Sequence, residues 1–279
     1  MAALAVTGST GRLGGRVARR ISDAGVEQLL VVRDAARAPK IPNASVAVAS
    51  YTDHAAAEKA LQGVDTLFMV SGAESLDRVA QHRTFVDAAV AAGVRHVVYT
   101  SFYGASPSST FTLARDHFAT EQYIKRSGLD FTFLRDNIYA DFFEFMVGDD
   151  GVIRGPAGEG RVSAVAQDDI ADAAATVLVR PDAHAGATYD LTGPEALTMD
   201  DVARTLSAVT GRKVGYHEET IDEAYESRAR YGAPRWQLDA WVSTYTAIAA
   251  GELAGVSAAI EELSGHPATS FEELLRRRP

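Results

Sequence analysis

The chain has 279 residues, 47% of them hydrophobic and 23% charged, the balance of a soluble globular protein with room for a large domain and a smaller companion. A formal net charge of -10 argues against a phosphate-backbone binder, so no nucleic-acid partner is expected. There is no cysteine, which removes disulfides, thiolate catalysis and cysteine metal sites and fits a reducing cytoplasm. "MAALAVTG" lacks the basic start of a signal peptide, and no apolar run approaches the roughly 20 residues that cross a bilayer, so no membrane partner is expected.

In chain order, "LAVTGST" is an apolar run ending in glycine, the pattern of a buried parallel strand feeding a helix. "GRLGGRVARRISDAG" follows with helical spacing at Leu13, Val17, Ala18 and Ile21. "QLLVVRD" and "SVAVAS" read as the second and third strands, "AAAEKALQG" as a helix and "DTLFMVSG" as the fourth strand. "RVAQHRTFVDAAVAAG" reads as a strongly amphipathic helix closed by Gly93, and "RHVVYTS" as the fifth strand. A helix over residues 113–126 and the strand "LDFTFLRDN" complete the alternation. Beyond Tyr139 come loop and short strand pieces, the helix "DDIADAAATVLVR", the strand "ATYDLTG", and a largely helical remainder from Thr198.

This order predicts an α/β fold, a Rossmann-like doubly wound parallel sheet with a smaller, mostly helical carboxy-terminal lobe. The expected division is residues 1–150 for the nucleotide domain and 151–279 for the substrate lobe, with residues 161–192 packing back onto the first.

"TGSTGRLGG" places Gly8, Gly11 and Gly14 between a strand and a helix. Such glycines allow a tight turn, backbone approach to a pyrophosphate and close helix packing, and the phosphates then meet the helix amino terminus. At the end of the second strand, where an NAD enzyme tends to carry an acid, stand Arg33 and, one turn on, Arg37. A guanidinium matches a 2′-phosphate, so NADP(H) is expected over NAD(H). Asp34 leaves the NAD role open, and Arg12 lies within reach of the adenosine phosphate.

None of the ten tyrosines is followed four residues later by lysine; Tyr231 with Arg235 comes nearest. The Tyr-Lys pair of many nicotinamide reductases is therefore absent in that form, and its expected place holds Leu113 and His117. His117 has the chemistry to hold a nicotinamide ribose or to donate a proton. Phe102, Tyr103, Tyr139, Phe142 and Phe143 cluster after two strand ends and are candidate walls of a pocket, although plain core filling would use the same residues. The seven histidines form no metal-ligand spacing, and no metal is expected.

"VTGSTGRLGG", "VVRDAARAP", "LQGVDTLFMVSG", "QHRTFVDAAVAAGVRHVVYTSFYGA", "ARDHFATEQYIKRSGLDFTFLRDNIY" and "GHPATSFEEL" together resemble the NmrA-like atypical short-chain dehydrogenase/reductases, most of all the bacterial NAD(P)H:quinone oxidoreductases. The resemblance implies a phosphate loop from Gly8, Thr10, Gly11, Arg12 and Leu13, a 2′-phosphate contact at Arg33, and Ser71 and Gly72 beside the cofactor. Thr100, Ser101 and Phe102 would border the nicotinamide, and Asn137 and Tyr139 would face the substrate. His117 stands where isoflavone-reductase-like relatives keep lysine. "YHEETIDEAYESRARYGAPRWQLDAWVSTY" matches least and is the stretch expected to shape the substrate pocket.

Reducing a quinone yields a delocalised phenolate-type anion with a pKa near that of tyrosine, about 10, so a strong acid is less needed than for a ketone. The expected function is hydride transfer from NADPH to a quinone or related polycyclic aromatic, with a homodimer admitted as the assembly. Two alternatives stay open: an NAD(P)-sensing regulator without turnover, which alone would call for a protein partner, and a tailoring reductase or oxygenase of aromatic polyketide biosynthesis.

Overall fold

The computed structural model describes residues 3–277. The first part of the chain alternates as the apolar runs predict: β1 Leu4–Thr7, α1 Arg12–Asp23, β2 Gln28–Val32, β3 Ala44–Val48, α2 His54–Leu61, β4 Thr66–Met69, α3 Arg78–Ala91, β5 His96–Phe102, α4 Thr112–Arg126 and β6 Asp130–Asp136. Then follow β7 Val152–Gly155, α5 Gln167–Val179, β8 Thr188–Leu191, α6 Met199–Thr210, β9 Gly215–Glu218, α7 Ile221–Ala229, α8 Arg235–Ala249, α9 Ala259–Ser264 and α10 Phe271–Arg276.

A seven-stranded sheet runs β3-β2-β1-β4-β5-β6-β8, and the pairings among β1 to β5 are parallel. Its order reverses between β1 and β4, and ligands of doubly wound sheets bind outside the carboxyl ends of the strands at such a reversal. The glycine loop follows β1 there, and Ser71 and Gly72 follow β4. Strand side chains alternate between faces. Ala5, Val31, Leu67, Met69, Val97, Tyr99 and Phe133 join Leu61, Phe85 and Val86 in one buried cluster. Their strand neighbours Val6, Leu30, Phe68, Val98 and Leu134 are equally buried, which is why these strands read as continuous apolar runs.

By its internal contacts the chain forms two compact units, each discontinuous. The first comprises residues 1–102, 116–135 and 168–189, and the second comprises residues 103–115, 136–167 and 190–279. In the first, Arg16 and Arg20 on α1 pair with Asp168 and Asp172 on α5. Asp168 lies in the first turn of α5 and uses its carboxylate across helices.

The second unit holds a two-stranded parallel sheet, β7 with β9. The sequence reading has no counterpart of β9: "GYHE" has no apolar run, and its residues are half-buried or exposed. Helix α10 packs on the 3-10 segment Ala140–Met146, where Phe143 meets Phe271 edge-on with centroids 5.1 Å apart.

Candidate functional site

In the first unit, the loop after β1 is shaped by two glycines that no other residue could replace unchanged. Gly8 has φ +66, and a Cβ there would also stand 2.9 Å from the Val70 Cβ. A Cβ on Gly14 would overlap the Gly8 carbonyl. Gly11 donates its backbone N–H to that same carbonyl at 2.9 Å. Thr10 and Arg12 are exposed on the loop, and Leu13 is buried beneath it.

Arg33, just past β2, is exposed and shows no hydrogen bond or ion pair among the described residues. Asp34 turns its carboxylate onto the Ala36 N–H at 2.9 Å and caps the short turn Ala35–Arg37. The acid that could have served an NAD ribose is thus bonded to its own turn, and the arginine beside it is available.

The ends of β4 and β5 are tied by the Ser71 N–H donating to Thr100 Oγ1 at 2.8 Å. Behind them lies a polar cluster built around Arg78, which is only 5% exposed. Its Nε donates to the Gly72 carbonyl at 3.0 Å and its Nη2 to His117 Nε2 at 3.0 Å. A guanidinium can only donate, so His117 carries its proton on Nδ1, which lies 3.1 Å from the Tyr99 hydroxyl. The Gly72 N–H donates to His82 Nε2 at 2.8 Å, which fixes the His82 proton on Nδ1, 2.9 Å from Thr120 Oγ1. Burial, and then the Arg78 charge, push the His117 pKa well below its usual value and that of His82 down to about 3. Both imidazoles are therefore neutral at physiological pH. Arg78 Nη1 is buried without a hydrogen-bond partner among the described residues, its nearest acid being Asp116 at 3.9 Å.

Of the other expected residues in this unit, Phe102 is buried with its ring centroid 6.0 Å from that of His117. Ser101 is buried too, but its hydroxyl donates to Glu121 at 2.6 Å, a carboxylate also held by Arg135. Arg78 and His82 escaped the sequence reading. Their signal is an i, i+4 pair on the face of α3 that also carries Phe85, Val86 and Ala89, where helix periodicity demands apolar residues unless something receives the polar ones.

The second unit contains a cavity of about 1050 Å³, at the upper end of the roughly 300–1,000 Å³ typical of small-molecule sites. Phe142, Phe145, Met146, Tyr231, Trp241 and Tyr245 are among its walls. The poorly matching stretch from Tyr216 to Tyr245 supplies much of this lining. Arg228 braces it, pairing with the buried Glu219 at 2.7 Å and lying 5.1 Å over the Tyr245 ring.

The remaining expected residues divide sharply. Phe142 lines the cavity, and the Tyr139 ring stacks on it with centroids 5.7 Å apart. Phe143 is fully buried against Phe271 and stands in the core instead of a pocket wall. Asn137 spends its side chain internally, on Ser163 Oγ, the Leu253 carbonyl and the Ile138 N–H. Tyr103 is half-buried, with its phenol raised first by burial and then by Asp190. Asp136, at the end of β6, escaped the sequence reading: it is buried, accepts from the Tyr139 hydroxyl at 3.0 Å through Oδ2, and has no partner on Oδ1 among the described residues.

Glycine turn, strand order and carboxyl-end cluster all describe a nucleotide-binding sheet, and the sequence profile of the NmrA-like family matches residues 2–233. The chain belongs to the NmrA-like family. Within it, the chain is 32% identical over 277 residues to quinone oxidoreductase 2 of Escherichia coli, covering 97% of this chain and 96% of that protein. It is also 32% identical over 276 residues to the NAD(P)H azoreductase of Xenophilus azovorans, again covering 97% and 96%. The crystal structure of the Escherichia coli NADPH-dependent quinone oxidoreductase complexed with NADPH superposes with a TM-score of 0.91, at 31% identity and 98% coverage of both chains. Among the described residues no helix is long and apolar enough to cross a membrane.

Proposed function

We propose that this chain is an NADPH-dependent reductase of quinones and related multi-ring aromatic compounds. The observation that carries the reading is the pairing of a preformed phosphate turn with an uncommitted Arg33 in the first unit and an aromatic cavity in the second. Similarity to a quinone oxidoreductase and an azoreductase over nearly the whole chain supports the same reaction class.

The residues present fit a nicotinamide dinucleotide. Gly8 and Gly14 leave the cradle that a Cβ would fill. Arg33 offers a forked cation for a 2′-phosphate, and Arg78, whose Nε holds the Gly72 carbonyl, keeps a buried Nη1 with no hydrogen-bond partner among the described residues. When bound, NADPH supplies hydride to an electron-poor ring. Arg78, permanently charged, takes the cationic part that a lysine plays in related enzymes, and the neutral His117 holds the guanidinium in place. The second unit excludes water and orients a flat substrate between aromatic walls, which is where positioning lowers the barrier. In this reading the first unit is the cofactor domain and the second the substrate lobe, and the protein works in the cytoplasm on small molecules.

The test is to mix the protein with NADPH and a panel of benzo-, naphtho- and anthraquinones and azo dyes, following the loss of NADPH absorbance. Consumption that rises with ring count up to the capacity of the cavity is expected. Tight NADPH binding without consumption on any compound would overturn the reading in favour of a nucleotide sensor.

A further inference from the structure

We propose that Tyr139 and Asp136 form the proton-delivering pair for the reduced substrate, Tyr139 touching the substrate oxygen and Asp136 resupplying Tyr139 from behind. The proposal rests on the reductase reading above and deepens it, since that reading leaves the source of the proton unassigned.

Asp136 is 2% exposed. Its backbone carbonyl accepts from the Tyr103 N–H at 2.9 Å, its Oδ2 accepts from the Tyr139 hydroxyl at 3.0 Å, and its Oδ1 has no hydrogen-bond partner among the described residues. An ionised carboxylate in such a site would carry an unsolvated charge on a bare oxygen, whereas the neutral acid carries none. Burial accordingly raises the Asp136 pKa to about 8, and the Tyr139 hydroxyl pulls the other way. Tyr103 after β5, whose backbone N–H binds the Asp136 carbonyl, and Asp190 on β8, whose charge acts on the Tyr103 phenol, are titratable groups near these strand ends, and neither is a cation that would hold Asp136 ionised. At neutral pH Asp136 is therefore an acid with a proton to give.

Tyr139 connects that acid to the cavity. Its ring lies on Phe142 at an interplanar angle of 24°, and Phe142 and Ile138 are both cavity walls. A phenol and a protonated carboxyl each donate and accept, so the bond between them carries a proton in either direction. In the proposed step, hydride arrival leaves two electrons on the substrate and an aryl oxyanion. The Tyr139 O–H bond breaks as an O–H bond forms on that oxyanion. The Asp136 O–H bond breaks in turn, and its proton moves onto the Tyr139 oxygen. Water reprotonates the resulting carboxylate before the next turnover.

The pair predicts a substrate bias, because a general acid helps most where the developing oxyanion is most basic. Wild-type kcat on electron-rich quinones should fall as pH rises through about 8. Asp136→Asn keeps the shape and the bond to Tyr139 but has no proton to give. It should lose that alkaline limb, slow electron-rich quinones by roughly tenfold to a hundredfold, leave electron-poor quinones within about threefold, and leave NADPH affinity unchanged. Tyr139→Phe cuts the path and also strips Asp136 Oδ2 of its hydroxyl partner, leaving the carboxyl still more firmly protonated; it should reproduce the same substrate-dependent loss. An alkaline limb that survives in Asp136→Asn, or a Tyr139→Phe enzyme at full rate on electron-rich quinones, would overturn the proposal.

A second arm needs no turnover. A carboxyl protonated in the fold up to about pH 8 but ionised from about pH 4 in the unfolded chain makes the native state hold the extra proton in between. Wild-type stability should then decline as pH rises over that window and level off above it, and Asp136→Asn should lack this decline. Parallel stability curves for the two proteins overturn the buried acid itself. Wild-type failure to consume NADPH with any quinone overturns the reductase reading, and the relay with it, whatever the stability curves show.

Discussion

His117 in the first unit and Asp136 in the second are both buried titratable side chains near strand ends, yet the fold treats them oppositely. Arg78 can only donate, which makes His117 Nε2 an acceptor and leaves the proton on Nδ1 toward the Tyr99 hydroxyl, and the guanidinium charge stands 3.0 Å away. The ring is locked in one tautomer and one charge state. Asp136 is held through one oxygen by a group that itself exchanges protons, and its other oxygen has no hydrogen-bond partner among the described residues. Burial alone therefore does not make a group chemically useful. A side chain held by an obligate cationic donor is a structural strut, whereas one held only by a reversible bond retains something to transfer. The first unit commits its buried polar groups to one another, and the second keeps an open cavity and a carboxyl oxygen with no hydrogen-bond partner among the described residues.

The largest expected effect probes the rigid side. Gly14→Ala puts a methyl into the Gly8 carbonyl; overpacking of this kind costs roughly 1–3 kcal/mol, which corresponds to an NADPH Kd raised by up to about a hundredfold. Binding of an aromatic dye to the second unit, followed by fluorescence without NADPH, should not change. If dye binding falls equally, the two regions do not act as separate sites. Next in size is Arg33→Glu, which replaces a forked donor with a repelling charge and should cut the NADPH-to-NADH preference by roughly tenfold or more. An unchanged preference, measured as the ratio of the two Kd values, would move the 2′-phosphate site elsewhere.

The same contrast explains what the sequence does and does not disclose. Buried parallel strands are apolar on both faces, so β1, β2, β4 and β5 stand out as runs, and the glycine turn follows from spacing. The fold class was legible for that reason. β9 was not, because a short edge pair in the second unit needs no apolar run. In the site, His117 was visible as a residue type but its neutrality was not: that comes first from burial and then from Arg78, 39 positions away in the chain. Arg78 and His82 lay hidden in a helix read as amphipathic, since periodicity names the inward face without naming what receives a polar group there. Asp136 in "LRDN" looks like ordinary strand-end punctuation. Its bare oxygen is a property of everything around it, and no local pattern encodes that.

The open side is tested by a smaller change. Trp241 lines the cavity and meets Tyr231 edge-on at 5.9 Å. Removing such an aromatic contact costs roughly 0.5–1.5 kcal/mol beyond area, so Trp241→Ala should raise KM about threefold to tenfold for anthraquinones and hardly at all for benzoquinone. An equal rise for both would mean that the ring contacts are not what the cavity reads.

The smallest kinetic effect belongs to His117, and its smallness is the point. Gln at this position can accept from Arg78 and donate to Tyr99, so His117→Gln keeps the strut while removing the titrating ring. Because burial and Arg78 hold the imidazole neutral, kcat/KM between pH 5.5 and 7.5 should follow one flat line in wild type and variant alike. Stability should differ. Below about pH 6.5 the unfolded chain binds a proton that the folded site refuses, so wild-type stability is complete above that pH and declines as pH falls, by up to about 1.4 kcal/mol per pH unit for each such histidine. His82, pushed down to about 3, adds its own share. His117→Gln should therefore unfold less steeply in acid than wild type by one proton, read from denaturant midpoints at successive pH values. A wild-type rate limb near pH 6.5 that disappears in the variant would show an imidazole that titrates at work, and it would erase the distinction between a locked histidine and a proton-giving aspartate.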